Sequence, residues 1–169
     1  MQTFQNISKD LFFIQIADAV SVRATCLRRR YGAVIVSEDG RIVSTGYNGA
    51  PRTRKHCTDL GICLREAKHI PSGKQYELCR SVHAEANAII NGNPLDIKNG
   101  TLYLAGTDVA TNKPTASIYP CAMCQRMILN AKIHRVVLRR EDGNLLIINP
   151  LDFPDDAPEE NKQDPLLWV

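Results

Sequence analysis

Two short strings hold most of the chain's reactive groups, His83-Ala84-Glu85 and Pro120-Cys121-Ala122-Met123-Cys124. Cysteines three apart share one face of a helical first turn. Pro120 suits such a start, because its fixed φ is helical and its missing N–H is not needed there. A helix N-terminus favours negative charge, which lowers thiol pKa and supplies thiolates for a metal. Two thiolates and the His83 imidazole leave the fourth tetrahedral position of a zinc ion open, which is the arrangement of a catalytic site. Glu85 stands two residues past His83, about 200° round a helix. The two serve one site only if that site lies off the helix end, where first-turn side chains converge. The chemistry this points to is metal-assisted hydrolysis, with water activated by zinc and Glu85 moving protons. A carboxylate bound to the metal could not shuttle freely, so Glu85 is expected beside the zinc and not on it.

Each string is weaker alone than the pair. Cys-x-x-Cys also fits redox chemistry or a closed structural zinc, but a purely structural site leaves the placement of Glu85 without a reason. Four further thiols, Cys26, Cys57, Cys63 and Cys79, lie outside this set. Residues 1–10 lack the basic-then-apolar pattern of a secretory signal, so the expected compartment is the cytosol. Thiols there stay reduced, and metal or catalysis is a better reading than disulfides. Four such thiols fit one closed tetrahedral zinc, with His56 as a substitute ligand. Their other reading is buried free thiols that behave as small hydrophobes.

The elements that must position these groups can be read from periodicity. Ser8 is a candidate N-cap, and Phe12, Ile16, Ala19, Val20 and Arg23 recur at four-and-three spacing as the inward stripe of a first helix. Arg23 should therefore point inward, where its planar donors suit an anion; bonding the last carbonyls of the helix is the other role open to it. Residues 32–36 and 41–47, joined by Glu38-Asp39-Gly40, read as a hairpin. Residues 48–80 show little periodicity, and so long a connection is uncommon unless functional or tied down. Helices are expected over 81–90, stopped by Asn91-Gly92-Asn93-Pro94, and over 120–131. Strands are expected over 101–105, 134–139 and 145–149, with a loop over 106–119. Helices alternating with strands after the hairpin demand crossovers, hence a sheet covered on both faces. The expected fold is one three-layer α/β/α domain over residues 1–150, then an acidic, proline-rich tail over 151–169.

Composition agrees with a single globular domain of 169 residues. No apolar run approaches the roughly 18 residues of a membrane span. The net charge of +3 is modest but uneven, with Arg23, Arg28, Arg29 and Arg30 early and Asp152, Asp155, Asp156, Glu159 and Glu160 late. That asymmetry fits an anionic ligand near the basic part or a polarised solvated surface. It is too weak to argue for nucleic acid.

Taken together, Tyr31-Gly32-Ala33-Val34-Ile35-Val36, Gly46-Tyr47-Asn48-Gly49-Ala50-Pro51, His83-Ala84-Glu85-Ala86-Asn87-Ala88-Ile89 and Pro120-Cys121-Ala122-Met123-Cys124 resemble the deoxycytidylate deaminase family over roughly residues 8–140. H-x-E with P-C-x-x-C is the signature of zinc deaminases at large, and Gly-Tyr-Asn-Gly-Ala-Pro is the best discriminator within them. The resemblance implies a cytidine-deaminase-like fold with a five-stranded mixed sheet, and hydrolysis of dCMP to dUMP and ammonia. It places His83, Cys121 and Cys124 on catalytic zinc, Glu85 as proton shuttle, Asn48 on the sugar and the Ala84 backbone on the base. Arg23, nine residues before Gly32, is similar to an arginine of the family and becomes the phosphate candidate; Tyr119 is a further substrate contact. A homo-oligomer, hexamer or dimer, and dCTP and dTTP as effectors are also implied. Cys26 and Cys57 resemble ligands of an extra zinc in some phage members, whose other ligands differ from Cys63 and Cys79.

Two departures stand out. Lys132 sits where the family commonly has glycine, and the link over 106–119 is longer, fit for a lid or an altered substrate choice. A tRNA adenosine deaminase shares both motifs but would call for a more basic surface and aromatic platforms. A free cytidine or blasticidin-type deaminase is a further alternative. In a zinc-stabilised binding module, by contrast, Glu85→Ala would leave function intact.

Overall fold

The structure, a computed structural model, describes residues 6–155 apart from Ser72 and Ser117, so most of the acidic tail, with Trp168, lies outside the described residues. Five strands form one sheet in the order β2-β1-β3-β4-β5. They are β1 Arg29–Val36, β2 Ile42–Tyr47, β3 Thr101–Asp108, β4 Arg135–Arg139 and β5 Leu145–Ile148. Only β3 and β4 run parallel; the other three pairs are antiparallel. The expected hairpin is β1–β2, and the mixed sheet of five strands is the one the resemblance implied.

Side chains alternate between two apolar layers. Ala33, Ile35, Leu102, Leu104, Val136 and Leu138 face one core, while Val34, Val36, Tyr103, Ala105 and Val137 face the other. Both faces are buried, which is why these strands read in sequence as continuous apolar runs. Helix α1, Lys9–Ser21, covers the second core. Helices α4, Ala84–Asn91, and α6, Ala122–Asn130, cover the first, giving the three layers.

Two glycines set how closely the helices approach. A Cβ on Gly32 would lie 2.0 Å from the Ala17 carbonyl oxygen, so α1 rests directly on β1. On the opposite face a Cβ on Gly46 would lie 2.3 Å from the Ala84 oxygen and from the Ala88 nitrogen, so α4 rests directly on β2. No side chain fits either crossing.

Helix α1 starts where expected. The Ser8 hydroxyl accepts from Leu11 N–H at 3.2 Å, an N-cap bond that satisfies an otherwise orphaned donor. Its buried face, however, is Phe13, Ile14, Ala17 and Ser21, while Phe12 is exposed, so the inward stripe lies about one residue, or 100°, from the one the spacing suggested. Leu11-Phe12-Phe13-Ile14 is apolar all round, and the fit of Ala17 and Ser21 over Gly32 decides the rotation. The helix ends at Ser21, and Arg23 beyond it is exposed, correcting the expectation that it points inward. Asp10 and Asp18 on α1 pair with Arg135 and Arg139 of β4, tying the helix to the sheet.

The long segment after β2 is irregular but tied down. It holds α2, Cys57–Leu60, and α3, Leu64–Ala67. Gly49 and Val82 bridge as an antiparallel pair, and the Arg80 guanidinium donates to the Lys55 carbonyl at 3.1 Å. A one-turn helix α5, Pro94–Ile97, follows α4. The expected loop over 106–119 is shorter than its sequence suggests. β3 runs on to Asp108, whose carboxylate accepts from the N–H groups of Ala110 and Thr111, and Thr107 pairs with Pro114. Lys132 adopts φ 56°, the left-handed conformation for which glycine is the default residue.

Candidate active site

His83 is the N-cap of α4 and Cys121 the N-cap of α6, and the two helix starts meet. His83 Nδ1 lies 3.4 Å from Cys121 Sγ and 3.5 Å from Cys124 Sγ. Among the described residues these three form the group whose ligand atoms all lie within 4.8 Å of one another. Zinc–nitrogen and zinc–sulfur bonds of about 2.0–2.1 and 2.3 Å at tetrahedral angles put such ligands about 3.6 Å apart. The set therefore fits one zinc ion with a fourth position left over.

The electrostatics of the trio follow from packing. The Cys124 hydrogen bond and His83 together hold the Cys121 thiol far below its usual range, against the effect of burial. The Cys124 thiol is pushed up, first by its bond to Cys121 and then by burial. The opposite directions are one fact: the first negative charge settles on Cys121 and opposes a second beside it. Burial lowers the His83 pKa, but its bond to Cys121 and the nearby Glu85 charge outweigh this and raise it overall. The edge of Tyr76 packs on the His83 ring, centroids 5.1 Å apart.

Glu85 is the second residue of α4 and only 6% exposed. Burial pushes its carboxyl above the usual range, partly offset by the His83 charge. It lines, with His83 and Cys121, a cleft that opens to solvent. The 200° between His83 and Glu85 is thus resolved as the sequence required, by a site off the helix end.

Other walls of the cleft come from distant elements. Asn48 is buried there, its carboxamide accepting from Tyr31 N–H at 2.7 Å and donating to Arg29 O at 2.9 Å. Tyr119 lines the mouth and packs edge-on against Phe153. The Tyr31 phenol, pushed up to about 12 by burial, stays protonated. Ala84 is wholly buried at the start of α4. Arg23 is not on this cleft; Arg28, Arg29 and Arg65 are. Sequence reading overlooked Arg65, Ser81 and Tyr76 on its wall. The one signal nearby was that Arg65 falls between Cys63 and Cys79.

Those cysteines also gather. Thr25 Oγ1 and His56 Nδ1 are 3.0 Å apart, which brings Cys26 to Cys57. The Arg28–Glu66 ion pair brings Cys26 toward Cys63, and the Arg80–Lys55 bond brings Cys79 toward Cys57. Burial and then the thiols of Cys26, Cys79 and Cys63 push Cys57 up. No three of these four sulfurs come within 4.8 Å of one another, unlike the ligand atoms of the His83 set.

Comparison with known proteins agrees with this geometry. A deoxycytidylate deaminase of Mycobacterium phage D29 is 35% identical over 136 residues, 78% of this chain and 94% of the phage protein. That of Schizosaccharomyces pombe is 31% identical over 130 residues, 77% of this chain, but the match spans only 36% of the yeast protein. The dCMP deaminase of cyanophage S-TIM5, solved with dCMP and dUMP, shares the fold at TM-score 0.53 and 21% identity, covering 81% of this chain and 85% of that one. The family model of the cytidine and deoxycytidylate deaminase zinc-binding region matches residues 7–140, which contain both helix starts and the cleft between them. With zinc as its cofactor, the chain belongs to that deaminase family.

Proposed function

We propose that this chain hydrolyses dCMP to dUMP and ammonia. The observation that carries this is a buried carboxyl, Glu85, beside a three-ligand zinc set on the wall of an open cleft. The phage D29 relative, a deoxycytidylate deaminase matched along nearly its whole length, supports the choice of substrate.

In this reading His83, Cys121 and Cys124 hold the metal. When bound, zinc supplies a water acidified toward neutrality. Glu85 takes a proton from the attacking water and delivers it to the ring nitrogen, then assists departure of the amine. A C–O bond forms at the amidine carbon, the C–N bond breaks, and the nitrogen leaves as ammonia. The burial that raises the carboxyl's pKa lets Glu85 hold that proton between the two transfers. Asn48, held by two backbone bonds, takes the sugar in this reading, the Ala84 backbone the base, and Tyr119 is a further substrate contact. Residues 1–150 act as one deaminase domain, assembled as a homo-oligomer; the exposed apolar side chains of Val22, Ile90 and Leu95 support assembly.

The test is ammonia release from dCMP, dCTP, cytidine and an adenosine-containing tRNA stem-loop. Turnover confined to deoxycytidine nucleotides is expected; preference for the stem-loop or for free cytidine would replace this reading. Cys26, Cys57, Cys63 and Cys79 are proposed as a second, structural zinc site, supported by their gathering around Cys57. Two zinc ions per chain are then expected by metal analysis, and one ion in protein never exposed to chelator would leave them as free thiols.

A further inference from the structure

Arg65 is an unusual side chain for a loop segment. It lies on α3 and is only 5% exposed. One of its terminal nitrogens, Nη2, donates to two carbonyls, Pro71 O at 2.7 Å and Lys74 O at 2.6 Å. Its guanidinium carbon sits 4.4 Å from the centre of the Tyr76 ring, a cation–π contact that holds it from below. The group is fixed, yet its Nε is buried with no hydrogen-bond partner among the described residues. A buried donor left unpaired is costly, and this one, unlike the orphaned Nε atoms of Arg80 and Arg139, belongs to a side chain on the wall of the cleft. The side chain lines the same cleft as Glu85.

A second orphan lies on that wall. Ser81 Oγ is buried without a partner among the described residues, and Ser81 too lines the cleft. Both groups can donate, and the guanidinium can do nothing else. Around them the wall carries Arg28 and Arg29 as well, and Glu85 at the metal end is the carboxylate of the lining. Arg28 pairs with Glu66 and Arg29 approaches Asp108, so those two have acidic neighbours already. Among the described residues Arg65 has neutral carbonyls and a ring as its partners. A ligand that satisfies a fixed guanidinium and a hydroxyl together is one with several anionic oxygens.

We propose that Arg65, with Ser81, binds the 5′-phosphate of the nucleotide. This rests on the reading of the cleft as a deoxycytidylate site and replaces Arg23, which is exposed and off the cleft. The phosphate contact belongs to the irregular segment between β2 and α4, while the chemistry belongs to the two helix starts. Positioning and reaction are thus supplied by separate parts of the chain.

The test reads binding apart from turnover. Zinc-loaded protein is titrated with dUMP and with deoxyuridine, and the ratio of the two affinities isolates the phosphate. Arg65→Gln is expected to lower that ratio about 10- to 100-fold, the range of a charge-assisted contact. Arg65→Lys should lower it less, and Ser81→Ala about 3- to 10-fold. Should Arg65→Gln fail to fold, Arg65→Lys and Ser81→Ala carry the test. A ratio unchanged in these variants, or a wild-type protein with no preference for dUMP, overturns the proposal. Wild-type protein that binds dUMP through Arg65 but releases no ammonia from dCMP would overturn the deaminase reading and leave this one standing.

Discussion

The two faces of the sheet are built alike and used differently. Each carries helix against strand, each has a glycine where backbone meets backbone, and each buries a layer of aliphatic side chains. On the α1 face the polar groups at the margin are Asp10, Asp18, Arg135 and Arg139, paired with one another across helix and strand. On the α4 and α6 face the polar groups are two helix starts aimed at one point, with a buried carboxyl and thiols whose charges conflict. The first arrangement pairs its charges internally and leaves one buried donor, Arg139 Nε, without a partner among the described residues. The second is satisfied only by adding a cation and a substrate, and such conflict between buried titratable groups is what marks a functional site. Changes on one face should therefore alter stability and spare turnover, and changes on the other the reverse.

Glu85→Ala offers the largest contrast. It removes the group that moves protons and leaves the three metal ligands in place. Turnover of dCMP should fall at least about 10²–10⁴-fold, the usual contribution of a general acid or base. Zinc content should stay at the wild-type level, and the melting temperature should hold or rise, because a buried carboxyl is replaced by a methyl. His83→Ala should instead lose the catalytic metal. Near-wild-type ammonia release from Glu85→Ala would remove this face's claim to the chemistry.

Gly32→Ala probes the other face. The added methyl would sit 2.0 Å from the Ala17 oxygen and 2.5 Å from the Ser21 nitrogen, both backbone atoms that cannot rotate away. Overpacking of this kind costs about 1–3 kcal/mol and more where nothing yields. A drop in the urea midpoint is expected, with kcat per folded molecule preserved. If Gly32→Ala folded at full stability, α1 would not rest on β1 as described.

How much of this could be read beforehand depended on whether a regular element carried it. His83, Glu85, Cys121 and Cys124 were legible because each is the N-cap or a first-turn residue of a helix, where spacing fixes direction. The strands were legible because burial on both faces leaves unbroken apolar runs such as Ala33-Val34-Ile35-Val36. The rotation of α1 was not, since adjacent phenylalanines Phe12 and Phe13 give two stripes of similar apolar content and only contact with Gly32 separates them. Arg23 was misplaced by the same error, extended past a helix that stops at Ser21. Arg65 was invisible for a different reason. It lies in a segment with no period, and its burial comes from carbonyls six and nine residues away and from Tyr76. Those contacts have no signature in local spacing.

The smallest expected effect tests the internal charge pairing of the α1 face. Asp10 accepts two bonds from the Arg135 guanidinium, at 2.8 and 2.7 Å, and a third from the Tyr103 hydroxyl at 2.9 Å. The Arg135 bonds, aided by Tyr103 and against some burial, hold its carboxyl below the usual range. Depression of a folded-state pKa means that the contribution to stability is present in full above the unfolded value, about 3.9. It is lost as pH falls through the folded value. Asp10→Asn keeps the shape and removes the charge. The pair is about a quarter exposed on each side, so solvent screening reduces its worth, and about 1–2 kcal/mol is expected at pH 7. Asp18 shifts the other way, raised by burial against the pull of Arg139, but it is present in both proteins and cancels in the difference. The gap in unfolding free energy between wild type and Asp10→Asn should therefore be flat above about pH 5. It should narrow as pH falls below about 3.9 and close once Asp10 is protonated in the folded protein. Urea titrations across that range read it directly. A gap that persisted at the acid end would show that the variant acts through packing and not through the charge pair.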